Sequence, residues 1–218
     1  MPAFSQEPAH LPFGPMSLSH LSSSIPIGDL LDPEGLSPER KQELNMQFQE
    51  LSDSIFRSPL DGELYLQRGK VRMELGALRS ALDDFELSRS KGYRRRETYF
   101  RLGVVNAALG ERASALAFFN ICLKKDSTDA EAHHYAGMTK LYLKHGSPEE
   151  RCTEAIPEFS KALRYNSSLR DALILRGCAY DRLGDHENAI IDFKRALEMA
   201  PGNHTIMLLL GHATLGNR

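Results

Sequence analysis

An all-α fold built from repeated helix pairs is predicted by three features of this 218-residue chain. First, glycines recur at Gly69, Gly103, Gly137, Gly177 and Gly211, at intervals of 34, 34, 40 and 34 residues. Second, an alanine follows twelve residues later at Ala81, Ala115 and Ala189, and eighteen residues later at Ala155. Third, a phenylalanine comes four residues after each alanine (Phe85, Phe119, Phe159, Phe193), and a small residue three further on (Ser88, Cys122, Ala162, Ala196). A period of this length marks a chain of stacked supersecondary units.

Composition narrows the setting. The formal net charge is -2, so no global field draws the chain to nucleic acid. Cys122, Cys152 and Cys178 are odd in number and far apart, with no Cys-x-x-Cys, which argues against a disulfide framework and a zinc site. No apolar run approaches the ~18 residues that span a bilayer. The first 37 residues hold no Lys or Arg, whereas secretory and mitochondrial leaders need basic residues. These features predict a cytoplasmic or nuclear protein.

Residues 1–37 contain six prolines, many serines and the acids Glu7, Asp29, Asp32 and Glu34. This composition predicts a disordered acidic tail. Two apolar pieces within it, LPFGPMSL and IPIGDLL, are candidate docking peptides. Ser37-Pro38-Glu39 is a helix start, with a capping serine and a proline in the first turn. Leu44, Phe48, Leu51 and Ile55 then share one helical face. Leu51 and Pro59 stand 34 residues before Phe85 and Tyr93, so residues 38–59 read as a capping helix, half of a degenerate unit.

From residue 60 to 218 the array divides into units of about 62–95, 96–129, 130–169 and 170–203, with a partial unit at 204–218. Each unit reads as two helices joined at Leu75-Gly76, Leu109-Gly110 or Leu183-Gly184, because glycine accepts the left-handed conformation that ends a helix. The glycines inside first helices cost up to ~1 kcal/mol each against alanine. Close crossing against the alanine of the second helix is the expected compensation, with phenylalanine filling the space between successive pairs. Pro201 stops the fourth unit. In the third unit six extra residues fall near LKHGSPEERCTEAIPEF, where Ser147-Pro148-Glu149-Glu150 reads as a helix start that gives the unit an early extra turn; insertions in repeat arrays are expected in loops, and Pro157 is expected in the first turn of the second helix or at a kink.

With this register the sequence resembles the tetratricopeptide repeat family over residues 62–203. It departs from the family at several positions. The early aromatic is Tyr65 and Tyr99 but then His133, Leu173 and Met207, and the unit-ending proline is replaced by Tyr93, Ser127 and Ser167. The resemblance implies a right-handed superhelical solenoid of antiparallel helix pairs whose first helices line a concave groove. It also implies a non-enzymatic scaffold for protein–protein interaction that takes a peptide or helix in that groove, with no cofactor.

Helical spacing then selects the groove residues: Leu66, Lys70 and Met73; Phe100 and Val104, with Ala107; His134, Met138 and Leu141; Ile174 and Cys178, with Asp181. Most are apolar, so an apolar floor for an amphipathic or extended hydrophobic segment is expected. Glu63, Glu97, Glu131 and Asp171 begin the first helices, where acids suit the helix dipole, and they also form a candidate acidic rim. The run SRSKGYRRRETYFR carries six basic residues in an inter-unit turn. It reads as a solvated loop, as a contact for phosphate, an acidic partner or the acidic tail, or as a weak nuclear-import signal. Asn106 is the one asparagine in the first helices of the four full units, so the family's carboxylate clamp cannot be assembled.

No catalytic or metal constellation emerges. His133 and His134 point about 100° apart on a helix. The final stretch, IMLLLGHATLGNR, is apolar nearly all round and makes a poor cap. It is expected to continue into further array, to pair with another copy, or to be covered. Two other functions stand beside the scaffold: a chaperone or co-chaperone subunit shielding a hydrophobic segment, with the chain's own tail as a competing occupant, and a regulatory fragment of a larger protein.

Overall fold

The structure, a computed structural model, describes residues 35–142 and 146–217. The tail expected over residues 1–37 therefore lies, apart from its last three residues, outside the described residues. Ten helices follow one another in the described chain: α1 (Pro38–Arg57), α2 (Gly62–Glu74), α3 (Leu78–Ser90), α4 (Arg96–Ala108), α5 (Arg112–Lys125), α6 (Ala130–Leu141), α7 (Pro148–Tyr165), α8 (Arg170–Arg182), α9 (His186–Met199) and α10 (His204–Gly216). Each helix packs on the next, and first helices of neighbouring units also touch, α2 on α4, α4 on α6 and α8 on α10. The result is an all-α solenoid with two layers, one of first helices and one of second helices. No helix among the described residues is long and apolar enough to cross a membrane.

Local chemistry sets the boundaries. The Ser37 side chain accepts a hydrogen bond from the Arg40 amide, and Pro38 occupies the first turn of α1. Asp61, Asp129 and Asn203 cap α2, α6 and α10 in the same way. At the hairpin between α8 and α9, Gly184 has φ +78°, which a side chain would resist.

The repeated residues meet each other. Phe85, Phe119, Phe159 and Phe193 are completely buried. Each is worth roughly 1.5–3 kcal/mol of burial. A Cβ placed on Gly69, Gly103, Gly137 or Gly177 would lie 2.5, 2.5, 2.9 or 2.7 Å from a ring carbon of its own unit's phenylalanine. The helical glycines thus make room for that ring; it was the alanine of the second helix that sequence spacing had put opposite them. The rings also join units, since Phe119 lies 5.9 Å from both Phe100 and Tyr135, and Phe100 meets Tyr135 edge-on at 5.2 Å.

The insertion of the third unit includes the early helix start expected at Ser147-Pro148. It lengthens α7 to 18 residues, against 13 and 14 for α3 and α5, and Pro157 lies inside that helix. The new start is held by a capping box: Ser147 accepts from the Glu150 amide, and the Glu150 carboxylate accepts from the Ser147 amide. A strong cap upstream lets the helix begin early, so part of the insertion is taken up as an extra turn of helix.

Polar clasps recur in units one and four. Arg68 makes two hydrogen bonds to Asp84, at 3.0 and 2.7 Å, and Arg176 makes two to Asp192, at 2.8 and 2.7 Å. Both aspartates are buried. Each arginine also reaches back sixteen residues to a serine on the preceding second helix, Arg68 to Ser52 at 3.5 Å and Arg176 to Ser160 at 3.0 Å. Serine, arginine and aspartate at equal spacing thus tie one unit to the one before.

Candidate functional site

The first-helix layer is the surface that sequence spacing assigned to the groove, and most of the residues chosen there are packed away. Leu66, Met73, Phe100, Val104, Met138 and Leu141 are at most 3% exposed, and His134 and Cys178 reach only 7% and 8%. Lys70 and Ile174 alone among the ten stay half-buried. The expected apolar floor is therefore mostly inter-helix core. Neighbouring first helices approach closely enough to cover these positions, and the phenylalanine layer lies beneath them.

What remains accessible is largely charged and arranged in pairs between units. The Lys70 ammonium lies 3.1 Å from Glu97, linking α2 to α4, and Arg101 approaches Glu97 at 3.7 Å along α4. Arg96 bonds both oxygens of Asp129 at 2.7 and 2.8 Å and Glu131 at 2.8 Å, linking α4 to α6. Asp171 meets Arg170 at 3.5 Å. The four acids expected at a rim do stand in the first turns of their helices. Three of them are neutralised by a base, while Glu63 is exposed to solvent.

The basic run divides in the same way. Arg89 pairs with Glu86, Arg95 lies over the Tyr93 ring at 5.2 Å, and Arg96 lies 4.2 Å over Phe100 while bonding Asp129. Lys91 and Arg94 are exposed. Asn106 turns inward and donates to the Leu102 carbonyl, which removes it from recognition.

A cleft of about 430 Å³ opens between α6 and α8. Its walls include Glu131, His134 and Tyr135 from α6, Leu169 and Asp171 at the start of α8, and Met199 from the end of α9. His134 is nearly sealed, and its Nδ1 is buried without a hydrogen-bond partner among the described residues. Burial pushes its imidazole down to about 4, and the attraction of Asp171 only partly opposes this. His133, one residue earlier, faces elsewhere, with its ring between Glu158 at 2.8 Å and the Ser127 carbonyl at 3.1 Å. The cleft was not foreseen from spacing, because it is made by the gap between two units and by Met199 of a second helix.

The thiols are inert in this setting. Cys122, Cys152 and Cys178 are free and buried. Burial pushes the Cys122 thiol up to about 11 and raises the other two. Cys178 belongs to packing and carries no nucleophile chemistry.

Comparison with known proteins follows the same lines. A profile of the tetratricopeptide repeat matches residues 171–203. A DnaJ protein P58IPK homolog A from Oryza sativa subsp. japonica is 36% identical over 98 residues, covering 44% of this chain. The chain spans only 20% of that relative's length. Among solved structures, MamA superposes with a TM-score of 0.64 at 21% identity, covering 73% of this chain and 90% of its own. YrrB, described as a tetratricopeptide repeat protein with an unusual peptide-binding site, gives 0.62 at 20% identity, covering 91% and 96%.

Proposed function

We propose that this chain, a tetratricopeptide repeat protein, is a protein–protein interaction scaffold that holds a partner segment along its first-helix layer, with the α6–α8 cleft as the anchor point. The observation that supports this reading is the cleft itself. It offers about 430 Å³, and its lining combines the apolar Leu169, Tyr135 and Met199 with the carboxylates of Glu131 and Asp171 and the guanidinium of Arg170. An apolar side chain of the partner enters beside Met199. A neighbouring basic side chain meets the two carboxylates, in competition with Arg96 and Arg170. Toward α2 the surface alternates in sign, Lys70, Glu97, Arg101, so a partner of mixed charge fits better than a purely apolar one.

The reading differs from a hydrophobic groove in what it asks of the partner. Ile174 and Lys70 remain accessible on this layer, and His134 stands in the cleft wall; the other seven expected groove residues act through packing that keeps the layer in register.

Affinity capture with the full chain, followed by peptide mapping of the captured protein, identifies the segment. The same segment is then titrated against Glu131→Lys, Asp171→Lys and Met199→Ala variants. Loss of affinity in all three, with unchanged circular dichroism, supports the cleft. Wild-type affinity in all three removes it.

A second reading has one observation in its favour, the similarity to a DnaJ protein homolog. In that reading the chain is part of a co-chaperone and shields an apolar segment. Suppression of thermal aggregation of a model client, followed by light scattering, separates the two; a scaffold specific for one partner leaves the client's aggregation unchanged.

A further inference from the structure

Five cations stand together on one edge of the array with no acid to answer them. Lys91, Arg94 and Arg95 lie in the turn between α3 and α4, and Lys124 and Lys125 close α5. All five are exposed, and none makes an ion pair among the described residues. The adjoining first-helix layer is arranged otherwise, since Lys70, Arg96, Arg101 and Arg170 each face a carboxylate. The two turns are joined directly, because the Lys125 ammonium donates to the Arg94 carbonyl at 2.7 Å. Their backbone is pinned as well: the Tyr93 amide donates to the Ser88 carbonyl at 3.1 Å, and the Thr98 hydroxyl to the Tyr93 carbonyl at 3.0 Å. Asp126, next after Lys125, is engaged by its own turn and accepts from the Thr128 amide and hydroxyl.

Helix chemistry accounts for part of this cluster only. Lys91 follows the end of α3, and Lys124 and Lys125 fill the last turn of α5, where the dipole favours cations. Arg94 and Arg95 stand at the start of α4, where it disfavours them. An anion brought to the edge therefore meets several unanswered cations on a fixed frame. The rings beside them narrow the kind of anion. Tyr93 and Tyr99 are half-buried, and each has a cation over it, Arg95 at 5.2 Å and Lys125 at 4.7 Å. A nucleic-acid strand needs open ring faces for its bases, and its long charge gains nothing from a chain of net charge -2. Carboxylates need only the ammonium and guanidinium heads. We infer that this edge docks an acidic segment of a protein partner, its carboxylates set against Lys91, Arg94, Arg95, Lys124 and Lys125. None of the five lines the α6–α8 cleft, so either surface can fail without the other.

The probe is a dye-labelled oligoglutamate peptide, titrated into the full chain and followed by fluorescence anisotropy. Binding is expected at low salt, and weaker binding at physiological salt, where charges are screened beyond ~8 Å. The triple variant Lys91→Glu, Arg94→Glu and Lys124→Glu, with unchanged circular dichroism, should bind at least about tenfold more weakly. Arg79→Glu, Arg164→Glu and Lys194→Glu together shift the net charge equally at exposed second-helix positions. That control should stay within about twofold of the parent chain, because its charges lie outside the contact. Carbodiimide coupling should join the peptide to Lys91, Lys124 or Lys125. Absence of binding at low salt overturns the inference. So does equal weakening in the two triple variants, which would reflect net charge alone. An oligouridylate that binds more tightly and displaces the peptide would assign the edge to nucleic acid and overturn it. Carbodiimide links from Asp29, Asp32 or Glu34 to these lysines in the free chain would assign it to the chain's own tail, with the same consequence.

Discussion

Gly103 of α4 lies directly under the Phe119 ring of α5, so close that a Cβ on the glycine would stand 2.5 Å from the ring's Cε1. The contact explains why a residue that weakens helices sits in the middle of one. Gly103→Ala recovers up to ~1 kcal/mol of helix propensity. Against this, overpacking in a filled core costs about 1–3 kcal/mol. With the full propensity gain the expected balance is a net loss of up to about 2 kcal/mol. Urea unfolding checks it: the midpoint falls while the slope stays unchanged. Gly211→Ala, at a site with no ring above it, moves the midpoint the other way.

The Arg176–Asp192 clasp makes a separate prediction. Asp192→Ala leaves a guanidinium, 19% exposed, without its carboxylate. Removing one partner of a buried pair costs about 3 kcal/mol. Replacing both, as Arg176→Met with Asp192→Leu, should recover most of that loss, because two desolvation costs vanish together. A double-mutant cycle in urea measures the coupling. Equal losses in the single and the double variant would show that packing dominates and the ion pair does not.

His134 couples stability to pH. Its folded value is held at about 4 by burial, below the ~6.5 of an unfolded chain. The unfolded chain therefore binds the extra proton first. Stability from this group is complete above pH ~6.5 and drains away as pH falls toward 4. By pH 5 the loss is about 2 kcal/mol. His134→Leu should flatten that part of the profile in a pH series of thermal melts. An unchanged slope would mean that the imidazole reaches solvent through the cleft.

The three cysteines should resist alkylation in the native state. Burial holds their thiols above the ordinary range, so little thiolate exists at pH 8. Iodoacetamide followed by mass spectrometry should show no modification until denaturant is added. Rapid native labelling of Cys178 would place it on an accessible surface.

Much of the fold was legible in the sequence because packing repeats. The Gly, Ala and Phe positions recur at fixed spacing, and Ser37-Pro38, Ser147-Pro148 and the Leu-Gly turns punctuate it. The site was less legible, for a geometric reason. Helical spacing tells which residues share a face, but not whether the neighbouring helix covers that face. Leu66, Phe100 and Met138 share the face of Lys70 and Ile174 in their respective helices, yet the approach of α2, α4 and α6 buries them. The cleft needed Met199, seventeen residues beyond its helix's predecessor in chain order, and no local pattern links it to Glu131. The Ser52–Arg68–Asp84 and Ser160–Arg176–Asp192 clasps did have a signal, an equal spacing of sixteen residues that occurs twice.

The most direct test of the partner surface is site-specific photo-crosslinking. A benzophenone amino acid is placed singly at Glu131 and Met199 in the cleft, and at Arg79 and Ala117, which are exposed on the second helices α3 and α5. Each full-length variant is irradiated with the captured partner, and the products are mapped. Crosslinks from Glu131 and Met199 to one short segment, with none from Arg79 or Ala117, are the predicted result. Crosslinks confined to Arg79 and Ala117 would contradict binding at the first-helix layer.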